Sequence, residues 1–190
     1  KMHYVKVISA LASLPDEVFT SQIEIYDWGC GQGLATMCFL EYFQMQDENL
    51  NIKSATLIEP SEIAIKRASL HVKKFKNDLT IITKNKDLDS IRPDDFNSSE
   101  KTIKIHLFSN ILDIDFFSMS DLVTNLKDSF NGLNYFICVS PYVTEQKTQR
   151  LNDFVENFEN PEILSEITER KGEWKGTNWS RVIRVFKAEI

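Results

Sequence analysis

The segment Asp27-Trp28-Gly29-Cys30-Gly31-Gln32-Gly33 sets an acid two residues before the first of three alternating glycines. The apolar run Ile23-Glu24-Ile25-Tyr26 precedes it, and an amphipathic stretch from Leu34 to Met45 follows. A strand, a glycine turn and a helix in that order can hold a nucleotide-like cofactor. The glycines accept positive φ and put no Cβ between backbone and ligand, and the new helix aims its first amides at whatever fills the turn. The spacing narrows the choice. A dinucleotide fingerprint is G-x-G-x-x-G/A, and here Leu34 falls where its third glycine belongs. A phosphate loop requires Gly-Lys-Ser/Thr, which is absent. An acid in this position would repel a pyrophosphate, so the pattern favours a cofactor without phosphate.

A second acid, Glu59, ends the next apolar run and stands before Pro60. A carboxylate only accepts hydrogen bonds, so it suits a pair of ribose hydroxyls. Ligands of open α/β sheets bind outside the strand carboxyl ends, so Asp27 and Glu59 are expected to face one crevice.

Asp27-x-Gly29-Cys30-Gly31-x-Gly33 resembles the first motif of the class I S-adenosylmethionine (SAM)-dependent methyltransferases. The resemblance implies SAM as cofactor. It places the methionine part against Gly29, Cys30, Gly31 and Gly33, its amino group on Asp27, the ribose on Glu59 with Pro60 beside it, and the adenine near Asp87 and Leu88. Asp89 competes with Asp87 for that last place. Ser109 and Asn110, at the end of the fourth strand, would line the reaction centre. The expected activity is methyl transfer to an acceptor that the sequence leaves unidentified, either a small molecule or a macromolecule presented by another domain. Amino-base methyltransferases carry Pro-Pro-Tyr/Phe after strand four to hold a flipped base. This chain has only Ser140-Pro141-Tyr142, after strand five. Cys138 falls inside a core strand, which argues against a cysteine nucleophile. Alignment supplies most of the effect in such a reaction, and a general base is needed only for a protonated nucleophile. No catalytic residue is therefore assigned.

These residues need a sheet to position them. Tyr4 to Leu14 has apolar residues at Val5, Ile8 and Ala12, a helical spacing ended by Pro15. Strands are expected at 23–28, 54–58, 79–83, 103–108 and 134–139, the last an apolar run suited to a strand buried on both faces. Helices are expected at 34–45, 62–76 (capped by Ser61), about 116–130, and after Thr144, where Leu151, Phe154, Val155 and Phe158 form one stripe. Residues 163–170 and 181–187 read as a terminal antiparallel hairpin around Gly172 and Gly176, with Trp174 and Trp179 flanking its turn, either packed locally or forming an edge for a partner. Five strand-plus-helix units and a hairpin imply a Rossmann-like three-layer α/β/α sandwich with a seven-stranded, mostly parallel sheet. We expect one domain over residues 1–190: an N-terminal helical segment (1–22), a core (23–160) and the hairpin (161–190).

Composition bounds the function. The 190 residues are 42% hydrophobic and 26% charged, with a formal net charge of −6, as expected for a folded globular chain. That charge argues against direct nucleic-acid binding by this domain. No apolar run approaches the ~20 residues of a membrane span, and no signal peptide is visible. Cys30, Cys38 and Cys138 form no metal-binding pair, so no metal is expected, and their core-like setting points to a reducing, cytoplasmic compartment. His106 reads as a core residue, His71 as exposed, and His3 as part of a segment that covers the cofactor in similar proteins. The basic residues of the 62–76 helix read as a solvated face. Lys1 precedes Met2, so the chain is expected to be a piece of a longer protein or to carry an added residue. Two readings compete: a catalytically silent methyltransferase-like module, which the bulky Trp28 keeps open, and a nucleotide-sugar or NAD enzyme of Rossmann type, against which the glycine spacing and the C-terminal hairpin count.

Overall fold

The computed structural model describes residues 2–46, 50–174 and 177–190. Helix α1 (Met2–Leu11) and the short α2 (Glu17–Thr20) precede strand β1 (Gln22–Trp28). Then follow α3 (Leu34–Met45), β2 (Asn51–Ile58), α4 (Glu62–Phe75), β3 (Ile81–Lys84), β4 (Ile103–Ser109), α5 (Met119–Ser129), β5 (Leu133–Ser140), α6 (Glu145–Glu156), β6 (Glu162–Trp174) and β7 (Thr177–Glu189). The sheet order is β3-β2-β1-β4-β5-β7-β6. Strands β1 to β5 pair in parallel, and β7 joins β5 and β6 antiparallel. This is the expected seven-stranded sandwich with its terminal hairpin.

Period-two alternation builds the layers. Ile23 and Ile25 of β1 face a core shared with α1, α3 and α4, while Tyr26 and Trp28 face a second core under α5 and α6. Trp28 therefore points away from the glycine turn. Its Nε1 donates to His106 Nδ1 at 3.2 Å, and the ring stacks on Phe108. His106 Nε2 meets Asn134 Oδ1 at 3.0 Å, so both ring nitrogens are satisfied. Burial pushes this imidazole down to about 3. It is a neutral core residue.

Helix boundaries follow local chemistry. Ser61, Ser118 and Thr144 cap α4, α5 and α6 by accepting the amides of Ala64, Asp121 and Lys147. The Ser118 cap starts α5 later than the apolar pattern around Phe116 predicts. Two expectations are corrected. First, β3 is followed by the surface loop that the polar stretch Arg92 to Lys101 suggests and not by a helix, so the strand-plus-helix units number four rather than five. Two 3₁₀ turns, Leu88–Ser90 and Pro93–Asp95, connect β3 to β4, because Pro93 and a run of polar residues prevent a helix. Second, α1 buries Val7, Ala10 and Leu11, and Leu14 beyond it, whereas Ala12 is exposed. The stripe is helical but rotated from Val5, Ile8 and Ala12. In α4, Ile65, Ala68 and Val72 are buried, but Phe75 is 42% exposed; Lys66, Arg67, Lys73 and Lys74 are exposed too. In the hairpin, the Arg181 guanidinium lies 4.9 Å from the Trp179 ring. Gly176 and the Trp174 side chain lie outside the described residues.

Gly33 joins the glycine turn to the core. Its φ is +80°, and a Cβ there would meet Val72 Cγ2 at 3.2 Å and Ala68 at 3.3 Å. Left-handed backbone costs a non-glycine residue about 1–2 kcal/mol, and this contact adds to it. Gly33→Ala is expected to lose about 2 kcal/mol of stability, a drop of several degrees in melting temperature for a chain of this size. A thermal melt matching wild type would contradict the assignment.

Candidate functional site

The sheet reverses its winding between β1 and β4, the place where open α/β sheets bind ligands. The turn after β1 lies there. Gly29, Gly31 and Gly33 have φ of +62°, +54° and +80°, and each glycine answers a different demand. A Cβ at Gly29 would strike Ile111 Cδ1 at 2.8 Å; one at Gly31 would meet nothing within 4 Å. Gly31 thus borders open space, as a residue must where a ligand approaches the backbone. Cys30 sits inward. Its amide donates to the Ile58 carbonyl at 2.9 Å and its carbonyl accepts from Gly33 at 2.8 Å. Burial, with Asp27 and Glu59 behind it, pushes its thiol far above the usual range, so the thiol is inert.

Asp27 lies beneath the turn with 1% of its surface exposed. Its Oδ2 accepts from the Thr36 amide at 3.2 Å and the Thr36 hydroxyl at 2.7 Å. Its Oδ1 is buried with no hydrogen-bond partner among the described residues. Burial, with a smaller push from Glu59, raises the carboxyl to about 6 despite the Thr36 hydrogen bonds. Buried polar atoms are almost always paired, so this oxygen awaits a donor.

Glu59 follows β2. Its Oε2 accepts the Gly31 amide and its Oε1 the Ser61 amide, both at 3.0 Å. Asn85 Nδ2 holds the carbonyls of Glu59 and Pro60 at 2.9 Å each. A carboxylate has about four acceptor positions, so Glu59 can brace the turn and still accept from a ligand.

A cleft of ≈310 Å³ opens beside these residues, lined in part by Gly29, Glu59, Pro60, Asp87 and Leu88. Asp87 caps the first 3₁₀ turn by accepting the Ser90 amide at 2.8 Å. Sequence reasoning missed the opposite wall: Ile111, Ile114, Phe116 and Phe117, from the β4–α5 connection. Their signal was the apolar content of residues 111–117 directly after a strand end. Phe116 is 89% exposed. Arg150 steadies this wall by donating to the carbonyls of Leu112 and Ile114 and lying over the Phe117 ring.

Ser109 and Asn110 do not line that cleft. Ser109 ends β4 and Asn110 follows it, its backbone amide donating to the Val139 carbonyl at 2.7 Å. Asn110 has φ +56°, uncommon for a non-glycine residue. Both side chains meet His3 of α1: Ser109 Oγ at 2.8 Å from Nε2, and Asn110 Nδ2 at 2.7 Å from Nδ1. The Asn110 amide donates to Nδ1, so the imidazole is neutral and its Nε2–H donates to Ser109. Burial and then Lys6 hold His3 below its ordinary value.

Among the described residues, no group of three or more His, Cys, Asp or Glu gathers into a metal site, and no helix is long and apolar enough to cross a membrane.

No protein-family model and no curated protein matches the sequence. Solved structures do. A provisionally assigned SAM-dependent methyltransferase from Listeria monocytogenes is 14% identical, with 100% of this chain and 99% of that one covered and a TM-score of 0.63. The N-terminal domain of EvdMO1, with S-adenosylhomocysteine bound, is 15% identical at a TM-score of 0.55, covering 97% and 81%. Magnesium protoporphyrin IX methyltransferase from Synechocystis, with SAM bound, is 13% identical at a TM-score of 0.50, covering 96% and 79%. The chain therefore has the fold of the class I SAM-dependent methyltransferases.

Proposed function

We propose that the chain binds SAM on this turn and cleft and transfers its methyl group to an acceptor. The observation that carries the reading is Asp27 Oδ1, a buried acceptor without a donor under a glycine turn whose middle residue borders open space. The SAM amino group is a cationic donor, matched to a buried carboxylate. Glu59 would take the ribose hydroxyls, and Asp87 with Leu88 would face the adenine across from Ile114 and Phe117. Gly29, Cys30, Gly31 and Gly33 would shape the floor under the methionine part, and Ser109 and Asn110 would border the acceptor. SAM supplies an activated methyl group whose leaving thioether is neutral. The protein's part is to align it with a nucleophile and keep water out. The fold's neighbours with SAM or S-adenosylhomocysteine bound support the same cofactor.

Calorimetric titration with SAM and S-adenosylhomocysteine tests the reading. Saturable one-site binding is expected, at least tenfold weaker in Glu59→Ala, which is about 1.4 kcal/mol. A folded wild-type protein that binds neither compound would refute it and leave a silent methyltransferase-like module.

A further inference from the structure

Helices α3 and α4 leave a shallow groove between them that shares no residue with the cofactor cleft. Its volume is ≈590 Å³, and it is lined by Met37 and Gln44 of α3 and by His71, Lys74 and Phe75 of α4. A further ≈220 Å³ adjoins it at Gln44 and Phe75, over Leu40, Phe43 and Ile52. Residues 62–76 carry five lysines or arginines and one acid, a net +4 in a chain of net −6. Lys66 pairs with Glu62, and Lys76 with Asp78. Arg67 and Lys74 have no ion pair and no hydrogen bond among the described residues. The helix dipole accounts for cations in the last turn of α4, and a solvated face accounts for the others. Neither accounts for Ile63 and Leu70, 67% and 70% exposed, or for Phe75 in the groove. Ile63, Arg67, Leu70 and Lys74 follow at steps of four, three and four, so cations and apolar side chains share one face of α4.

We propose that this groove and the outer face of α4 dock an acidic amphipathic helix of a partner protein. Such a helix places apolar residues at i, i+3 or i+4 and i+7 into a groove. Here they would lie on Met37, Leu70 and Phe75, while flanking carboxylates reach Arg67 and Lys74. Residues outside 62–76 carry net −10, the difference between −6 and +4. An acidic partner is therefore repelled by the rest of the chain and steered to α4. Other occupants fit less well. A membrane surface needs a convex face, and this one is concave. Nucleic acid would use the cations and leave Leu70 and Phe75 without a role. A second copy would have to offer α5 or α6, whose apolar residues, Leu126 and Phe154 among them, are already buried. The site is separate from the cofactor cleft, so it stands whether or not SAM binds.

The probe is a fluorescent peptide helix with leucines at i, i+3, i+4 and i+7 and glutamates on its other face, titrated with the whole chain and followed by anisotropy. Saturable binding is expected below about 1 mM. It should weaken at least tenfold when lysines replace the glutamates, and equally when serines replace the leucines. Arg67→Glu combined with Lys74→Glu should weaken it at least tenfold, and so should Leu70→Ser alone. These side chains are exposed, so the variants should melt close to wild type. The chain has three histidines, so the His71 imidazole is assignable in carbon–proton spectra by its loss in His71→Gln. The peptide should shift His71, which lines the groove, and leave the core residue His106 unmoved. Absence of saturable binding, equal binding of the serine peptide, or an unchanged affinity in Leu70→Ser would overturn the proposal. Duplex RNA or phosphatidylserine vesicles that bind more tightly than the peptide would overturn it in favour of nucleic acid or a lipid surface. Self-association abolished by Leu70→Ser would overturn it in favour of a second copy.

Discussion

Asp27→Asn is expected to fold more stably than wild type at neutral pH and to bind SAM at least tenfold more weakly. The Asp27 carboxyl sits at about 6 in the folded protein and near 3.8 in an exposed chain. The folded state thus favours the protonated form. Below about pH 3.8 the group is protonated in both states and costs nothing. As pH rises through the interval up to about 6, the unfolded chain loses the proton first, and stability falls. Above that interval the full cost remains, about 3 kcal/mol at 1.36 kcal/mol per pKa unit. Asparagine has no such window. Its carbonyl can keep both Thr36 contacts, which now go to Oδ2. The stability difference between variant and wild type should therefore widen by about 3 kcal/mol between pH 3.8 and pH 6 and stay flat above, measured by denaturant unfolding across pH. All other titrating groups are common to both proteins. Parallel curves would show that Asp27 does not carry this burden. A cationic amino group at Oδ1 would restore the charged form, so only wild type should gain SAM affinity across the same interval.

The region around Asp27 was legible because its chemistry is local. An apolar run, an acid and alternating glycines specify strand, turn and helix within about twenty residues, and α3 spans the expected Leu34–Met45. Glu59 was legible for the same reason, standing between a strand and a capped helix. The errors fall where long-range packing decides. The period of α1 allowed two faces. The chosen one buries Val7, Ala10 and Leu11 against α3, β5 and β7 and turns His3 and Lys6 toward the strand ends. Nothing in residues 2–11 alone says that His3 meets residues more than a hundred positions away. The link after β3 reads as a polar loop and is one, so only the count of five strand-plus-helix units fails: Lys86 pairs with Asp95 inside it, and Asp89 accepts the amide of Ser118 beyond it at 2.9 Å. The apolar wall at 111–117 went unread because its residues look like a helix start until Ser118 caps α5 in their place.

Gly31→Ala should separate folding from binding. At φ +54° an alanine costs about 1–2 kcal/mol, and its Cβ would touch nothing in the protein. The variant should therefore fold, with a melting temperature only a few degrees below wild type. That Cβ would enter the space proposed for the methionine part of SAM, and relaxation of the strained backbone would move the amide that Glu59 Oε2 accepts at 3.0 Å. A loss of SAM affinity of about 100-fold, some 2.7 kcal/mol, is expected by calorimetry. Gly33→Ala makes the opposite case. Its added methyl meets Val72 and Ala68 rather than open space, so its main loss should be in stability, with a smaller loss of SAM affinity in the folded fraction than Gly31→Ala shows. Two glycines of one motif, two residues apart, then fail by different routes. If Gly31→Ala binds SAM as wild type does, the open space above Gly31 is not the cofactor's place, whatever the fold resembles.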